Sequence, residues 1–398
     1  MLVYLKAGKE KSLLRRHPWV YPTGIAKMSG TPQSGDTVEV RAADGKFLAW
    51  GAYSPQSQIR IRVWSFVESD VIDTNWIGNK IHAAAARRAP LDATTNAQRL
   101  VFGEADQLPG LIIDRYGNWA VVQILSAAIE NWRIAVLESV RSLPGIDHVY
   151  ERSDAATRQR EGLELIAGPV TPLPEGLDIT QIPAQENGVH YRVDIVNGHK
   201  TGFYVDQRDN RAIVGSLAKG RRVLNCFCYT GGFSLAALVG GASAVISIDS
   251  SGDALKRGQL NQSVNGSIAA DVHSEWRDEN VFDALKGMLA SGERFDLIIL
   301  DPPKFAPSVI HLDKASRAYK EINLKALKLL NPGGYLLTFS CSGAVSVELF
   351  QKIVAGAVVD AGCDMQMLRR LEAGLDHPML MTHPEGEYLK GLLLQRLT

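Results

Sequence analysis

Three regimes of hydrophobic patterning follow one another along the chain. Up to about residue 70, short apolar runs alternate with polar positions at period two. Segments 37–40 and 47–52 flank the turn Ala43-Asp44-Gly45, and 59–66 alternates apolar residues with Arg60 and Arg62. Gly24, Gly30, Gly35, Gly45 and Gly51 punctuate the stretch, which predicts a small β-barrel. An alanine-rich helix over 76–89 then changes the composition and marks a boundary near residue 70.

Residues 71–185 read as a mixed α+β domain. Strands are expected at 100–102, 111–114 and 119–125, the last pairing back through Tyr116-Gly117-Asn118, with a helix over 127–140 ended by Leu143-Pro144-Gly145. Pro169, Pro172, Pro174 and Pro183 crowd a stretch that reads as a linker. From about residue 186 to 398 strands and helices alternate. Strands are predicted at 223–227, 244–248, 272–276, 295–300, 335–339 and 389–394, with helices at 233–239, 254–264, 281–289, 314–330 and 347–361. Strands joined by crossover helices form a mostly parallel sheet with right-handed connections. The fold class is α/β.

Composition narrows this little. Apolar residues make up 45% and charged residues 22% of the 398, ordinary globular usage. Four cysteines in no metal-ligand spacing predict a reduced, cytoplasmic chain without a metal site. Residues 1–11 lack the apolar core of a signal peptide. The uncharged run 223–248 is too broken by glycines and serines for a membrane span, so no membrane partner is expected. Charge is more telling, because the balance of 43 basic and 43 acidic residues hides an asymmetry: 1–62 holds ten Lys/Arg against four Asp/Glu. Lys9, Lys11, Arg15 and Arg16 open it. A basic module on an acidic body suits an anion or nucleic acid, and equally a solvated surface.

Candidate chemistry gathers at the strand ends, where ligands bind in open parallel sheets. The strand ending at Phe227 runs into Cys228-Tyr229-Thr230-Gly231-Gly232, where glycines admit a ligand to the backbone and a helix N-terminus faces it. Asp249 ends the next strand, placed for ribose hydroxyls; a helix start capped by Ser250 or Ser251 is the alternative. Asn280 suits an adenine edge or an N-cap. Asp301-Pro302-Pro303-Lys304-Phe305 holds a carboxylate rigidly, because two prolines fix φ and remove two donors. Cys341 ends the fifth strand at the ligand-facing edge, where a thiolate can act as nucleophile. Cys226, Cys228 and Cys363 read as small buried hydrophobes.

Together these residues resemble a family. The C-terminal part looks like a Rossmann-like class I S-adenosylmethionine-dependent methyltransferase with a seven-stranded sheet, and in detail like the large-subunit ribosomal RNA cytosine-5 methyltransferases of the RlmI type. The segment from Lys9 to Val20 is similar to the start of that family's PUA-like RNA-binding barrel. The segment from Gly198 to Arg208 resembles the stretch that helps enclose the cofactor. The segments from Asn225 to Phe233, Asp301 to Phe305 and Phe339 to Gly343 match its glycine turn, Asp-Pro-Pro-Lys-Phe turn and cysteine motif. Many RNA cytosine-5 methyltransferases carry a second cysteine in the Asp-Pro turn; Pro303 and Lys304 stand there instead, so no helper cysteine is carried over. The adenine-contact position, often Asp, is Asn280.

The resemblance implies S-adenosylmethionine as cofactor, held by Gln207, Arg208, Asn225, Phe227, Tyr229, Thr230, Gly231, Asp249, Asn280, Asp301 and Pro302. It implies 23S rRNA as partner, gripped by Lys9, Lys11, Arg15, Arg16 and Lys304, with Cys341 and Asp301 catalytic. A homodimer is left open. A uracil-5 RNA methyltransferase is the nearest alternative, although many of those need an iron–sulfur cluster and four clustered cysteines. A non-catalytic ribosome-assembly factor that binds RNA is the other.

Overall fold

The computed structural model describes residues 1–266, 272–306 and 308–397. Two compact units emerge: Met1–Glu186 with Val193–Asp206 and Leu375–Gly386, and Asn187–Arg192 with Gln207–Gly374 and Glu387–Thr398.

The first unit opens with strands Leu2–Leu5 (β1), Trp19–Val20 (β2), Ile25–Ser29 (β3), Thr37–Arg41 (β4), Phe47–Tyr53 (β5) and Ile61–Ser65 (β6), with the short helix Lys11–Leu14 (α1) before β2. They form one sheet in the order β2-β6-β5-β4-β1-β3. The predicted alternation holds in β4, where Val38 and Val40 are fully buried between half-exposed neighbours; with Val3, Leu5, Leu13, Ile61 and Val63 they make the barrel core. A second sheet follows, ordered β11-β10-β9-β8-β7 from Ala97–Phe102 (β7), Leu111–Tyr116 (β8), Trp119–Ile124 (β9), His148–Ser153 (β10) and Ile166–Pro169 (β11). The hairpin turns at Gly117, φ +60°, with Tyr116 opposite Trp119. Helix Thr74–Arg88 (α2) packs on this sheet through Ile77, Ile81 and Ala84. The expected helix over 127–140 is two helices, Ala127–Glu130 (α3) and Arg133–Arg141 (α4). Trp132 leaves helical geometry (φ −104°, ψ 12°) and packs against the core. Helix Ala156–Arg160 (α5) and strand Ile182–Glu186 (β12) complete this region; strand Val189–Val193 (β13) follows in the chain, with Val189–Arg192 in the second unit. The stretch expected as a linker lies within the first unit, which runs to Glu186, with Pro169 in β11 and Pro183 in β12.

The second unit is the alternating one. Helix Arg208–Leu217 (α6) leads into Arg222–Cys226 (β14), Gly232–Val239 (α7), Ala244–Asp249 (β15), Gly252–Ser263 (α8), His273–Asp278 (β16) and Val281–Ser291 (α9). Phe295–Leu300 (β17), Leu312–Leu329 (α10), Leu330–Ser340 (β18), Val347–Ala361 (α11), Met365–Leu371 (β19) and Lys390–Arg396 (β20) follow. The sheet has seven strands in the order β16-β15-β14-β17-β18-β20-β19. The first five run parallel; β20 is antiparallel to both neighbours. Fully buried Leu224, Ile298, Leu300 and Leu336 of the sheet pack with Leu285, Tyr319, Ile322 and Phe350 of the helices. All parallel strands share one carboxyl edge, and that edge carries the candidate chemistry. Among the described residues no helix is long and apolar enough to cross a membrane.

Candidate active site

The glycine turn after β14 is a strained structure held from both sides. Phe227 (φ +58°), Tyr229 (φ +49°) and Gly231 (φ +81°) all take left-handed backbone within five residues. Each non-glycine there costs of order 1–2 kcal/mol, and such strain gathers at functional sites. The Asp249 carboxylate pins the turn: the Tyr229 N–H donates to Oδ2 at 2.8 Å and the Ser251 N–H to Oδ1 at 3.0 Å. A carboxylate has about four lone-pair sites, so both oxygens keep capacity for hydroxyl donors. The cap of α8 is Ser251, whose side chain accepts from Ala254 N–H. At Gly231 a Cβ would lie 2.3 Å from the Trp276 ring, so only glycine satisfies both the φ and the packing. The α7 amides begin there, with no intrahelical acceptors in their first turn.

Several expected cofactor contacts lie deeper. Asn225 is fully buried; its Nδ2 donates to Ser234 Oγ at 2.8 Å, Ser234 shares a 2.7 Å bond with Ser247, and Asn225 Oδ1 is buried without a partner. This network fastens α7 to β14 and β15 beneath the turn. Thr230 is buried, its carbonyl accepting from Asn261 Nδ2 at 3.2 Å. Asn280 caps α9 through Oδ1, which accepts from Phe282 N–H at 2.9 Å and leaves its NH₂ as the group able to meet a base edge. Arg208 is buried against Asp209, Nε to Oδ1 at 3.1 Å.

The other half of the site lies where β17 and β18 end. Leu300 stands opposite both Cys226 and Thr338, so Asp301 emerges between the glycine turn and the cysteine motif. Gln207 Nε2 donates to Asp301 Oδ2 at 3.0 Å. Its orientation is dictated by Asn210, whose Nδ2 donates to Gln207 Oε1 at 2.6 Å and to the Glu372 carbonyl at 3.0 Å. With its oxygen occupied, Gln207 presents only N–H to the carboxylate. Pro302 is buried, and its carbonyl lies 3.9 Å from the half-buried Cys341 Sγ. Lys304 is exposed. Ser342 Oγ accepts from Ala306 N–H at 3.2 Å and meets Tyr319 Oη at 3.1 Å, while Ser340 Oγ donates to Tyr319 Oη at 2.9 Å. One buried tyrosine on α10 therefore locks the Asp-Pro-Pro turn to the residues either side of Cys341. The remaining cysteines differ: burial pushes the Cys226, Cys228 and Cys363 thiols up, away from thiolate chemistry.

In the first unit, Lys9, Lys11, Arg15 and Arg16 are all exposed around α1, and the Arg16 guanidinium lies 5.4 Å from the Phe66 ring centroid. Nearby, His17, His383 and Glu385 bring potential ligand atoms within 4.8 Å of one another. The Trp19 N–H donates to His17 Nδ1, so the proton of the neutral ring resides on Nε2 and faces Glu385 at 3.2 Å. That nitrogen offers a hydrogen bond rather than a lone pair. Sequence reasoning missed Tyr319, Asn210, Trp276 and Lys390. Only Lys390 leaves a local signal, as a charge directly before the apolar run 391–394.

The S-adenosylmethionine-dependent methyltransferase family matches residues 172–393, and the PUA-like domain matches 3–66. A ribosomal RNA large subunit methyltransferase I from Tolumonas auensis is 48% identical over 401 residues, covering 99% of each chain. That of Klebsiella pneumoniae is 46% identical over 390 residues, covering 97% of this chain and 96% of its own. A SAM-dependent methyltransferase structure from Streptococcus mutans superposes with a TM-score of 0.82 over 99% of this chain and all of the other, at 22% identity, a likeness of fold. With S-adenosylmethionine as its methyl donor, the chain belongs to the ribosomal RNA large subunit methyltransferase I family.

Proposed function

We propose that this chain methylates carbon 5 of a cytosine in large-subunit (23S) ribosomal RNA, through a covalent adduct between Cys341 and carbon 6. The observation that carries the reading is the placement of Cys341 and Asp301 on adjacent strand ends, with Sγ 3.9 Å from the Pro302 carbonyl. Carbon 5 of cytosine is a weak nucleophile. Attack of the Cys341 thiolate forms the S–C6 bond and moves the ring's double-bond electrons to carbon 5, which then takes the methyl group. Asp301 meets the ring edge at nitrogen 3 and shares the proton that offsets charge developing there. Loss of the carbon-5 proton and cleavage of the S–C6 bond restore the aromatic ring and the thiolate. A uracil-5 enzyme would place the same cysteine against a ring bearing N3–H, where cytosine offers an unprotonated nitrogen 3.

S-adenosylmethionine supplies an electrophilic methyl on a sulfonium sulfur. The residues fit it: the Asp249 oxygens keep lone pairs for ribose hydroxyls, the α7 amides suit its carboxylate, and Asn280 keeps an NH₂ for the adenine edge. Phe227, Tyr229, Gly231 and Pro302 line these turns, while Asn225, Thr230, Gln207 and Arg208 hold them in shape. Asp249→Asn should weaken S-adenosylmethionine binding about 10–100-fold, since a hydrogen bond to a charged group contributes about 1.5–3 kcal/mol, and should leave RNA affinity unchanged. Calorimetric titration reads both; unchanged cofactor affinity would reduce Asp249 to a brace for the turn.

We assign the chain three segments, 1–70 for RNA, 71–185 between, and 186–398 for methyl transfer, working in the cytoplasm on an unpaired or flipped cytosine. Lys9, Lys11, Arg15 and Arg16 would grip phosphates, with Lys304 at the base. Charge reversal at Arg15 and Arg16 should weaken binding to many RNAs alike and lower the slope of log affinity against log salt by roughly 0.7–0.9 per lost contact. An unaltered slope would return these residues to plain surface charge.

A further inference from the structure

Lys390 opens β20 directly opposite Ser340 of β18, and it is buried, with 6% of its surface exposed. Its Nζ donates to the Ser342 carbonyl at 3.0 Å, one residue from Cys341. Among the described residues no carboxylate lies within 4.0 Å of this ammonium. A buried ammonium with no carboxylate in contact is costly, and the chain tolerates it here, beside its one half-buried cysteine at the strand ends.

We propose that Lys390 is the counter-ion of the Cys341 thiolate, a positioning residue that stabilises the charged form of the nucleophile. The inference rests on the reading of Cys341 as the attacking group. Three charges face the Lys390 ammonium: Glu387 and the Cys341 sulfur favour its charged form, and Lys304 opposes it. Burial outweighs them and pushes its proton affinity down. The coupling between sulfur and ammonium is reciprocal: whatever an ionised Cys341 does for the proton on Lys390, that proton does for the thiolate. The hydrogen bond to Ser342 keeps the cation on the cysteine loop, so the charge stays in place when RNA enters. When the S–C6 bond forms, the sulfur gives up its negative charge, and the ammonium is then left to favour release of the thiolate at the end of the cycle.

The test is the pH dependence of Cys341 alkylation by iodoacetamide in the full chain, read peptide by peptide by mass spectrometry. Lys390→Gln keeps a donor for the Ser342 carbonyl and removes the charge. Its alkylation midpoint should rise by about one pH unit, a tenfold loss of thiolate at fixed pH below the midpoint. Lys390→Arg should stay near the wild-type midpoint. A Lys390→Gln midpoint equal to wild type, in protein that still binds S-adenosylmethionine, overturns the proposal and leaves Lys390 as a strand fastener. A reciprocal measurement leaves position 390 intact: in Cys341→Ala, the ¹³Cε signal of Lys390 should titrate at lower pH than in wild type, and an unmoved titration overturns the proposal equally. Neither readout depends on turnover. Cys341→Ala with wild-type turnover would remove the nucleophile itself, whereas unshifted alkylation would remove only its counter-ion.

Discussion

Replacing Cys341 by alanine should abolish methyl transfer, by about 10³-fold or more, while S-adenosylmethionine should bind as before. A loss of that size corresponds to about 4 kcal/mol of transition-state stabilisation, reasonable for removing the bond that activates carbon 5. Cofactor affinity is spared because the turns that would hold it, at Tyr229, Asp249 and Asn280, are braced by one another and not by Cys341. The packing of the loop should survive too, since Ser340 and Ser342, not the thiol, carry its hydrogen bonds to Tyr319. The natural readout is tritium transfer to rRNA beside calorimetry with cofactor. Turnover near wild type would rule out the covalent route. RNA carrying 5-fluorocytosine sharpens the result: with fluorine in place of the departing proton, the wild type should be trapped as a denaturant-resistant adduct and the alanine variant should not.

The second large effect is expected at Asp301. Asparagine in its place keeps the size and one carbonyl oxygen but loses the shared proton and the charge. Removing a single preorganised partner of developing charge typically costs 10²–10³-fold in kcat. Asp301→Asn should fall in that range, with the RNA KM little changed, because RNA affinity is supplied mainly by phosphate contacts elsewhere. Gln207 offers a control at one remove. Gln207→Glu sets a second carboxylate against Asp301 and removes the N–H donated at 3.0 Å, so it should also depress kcat, whereas a defect confined to KM would detach Gln207 from the chemistry. Single-turnover kinetics on both variants separates these outcomes.

The sheet was legible because buried parallel strands write themselves as apolar runs: 295–300 and 244–248 were located nearly to the residue. β19 was not, since an edge strand exposing Arg369 and Arg370 has neither apolar run nor alternation. α6 was hidden by its polar start, where Arg208, Asn210 and Arg211 are buried through hydrogen bonds and ion pairs rather than apolar surface. At the candidate site, Asp249, Asp301 and Cys341 were legible as candidates because each lies at or just past the carboxyl end of a parallel strand. Asn225 sits in the matching motif, yet its side chain points into a network with Ser234 and Ser247, and only the fold reveals which way a strand residue faces. Tyr319 and Lys390 are distant in sequence from the cysteine they flank, and no local pattern joins them.

A cytosine of large-subunit rRNA should receive the methyl group at carbon 5. Bisulfite sequencing of 23S rRNA from cells lacking this protein addresses it directly. One cytosine should be protected in the parent, converted in the deletion, and protected again when the wild-type gene is restored but not when Cys341→Ala is. An unchanged pattern of protected cytosines, or a methyl group lost from a uridine instead, would contradict the account.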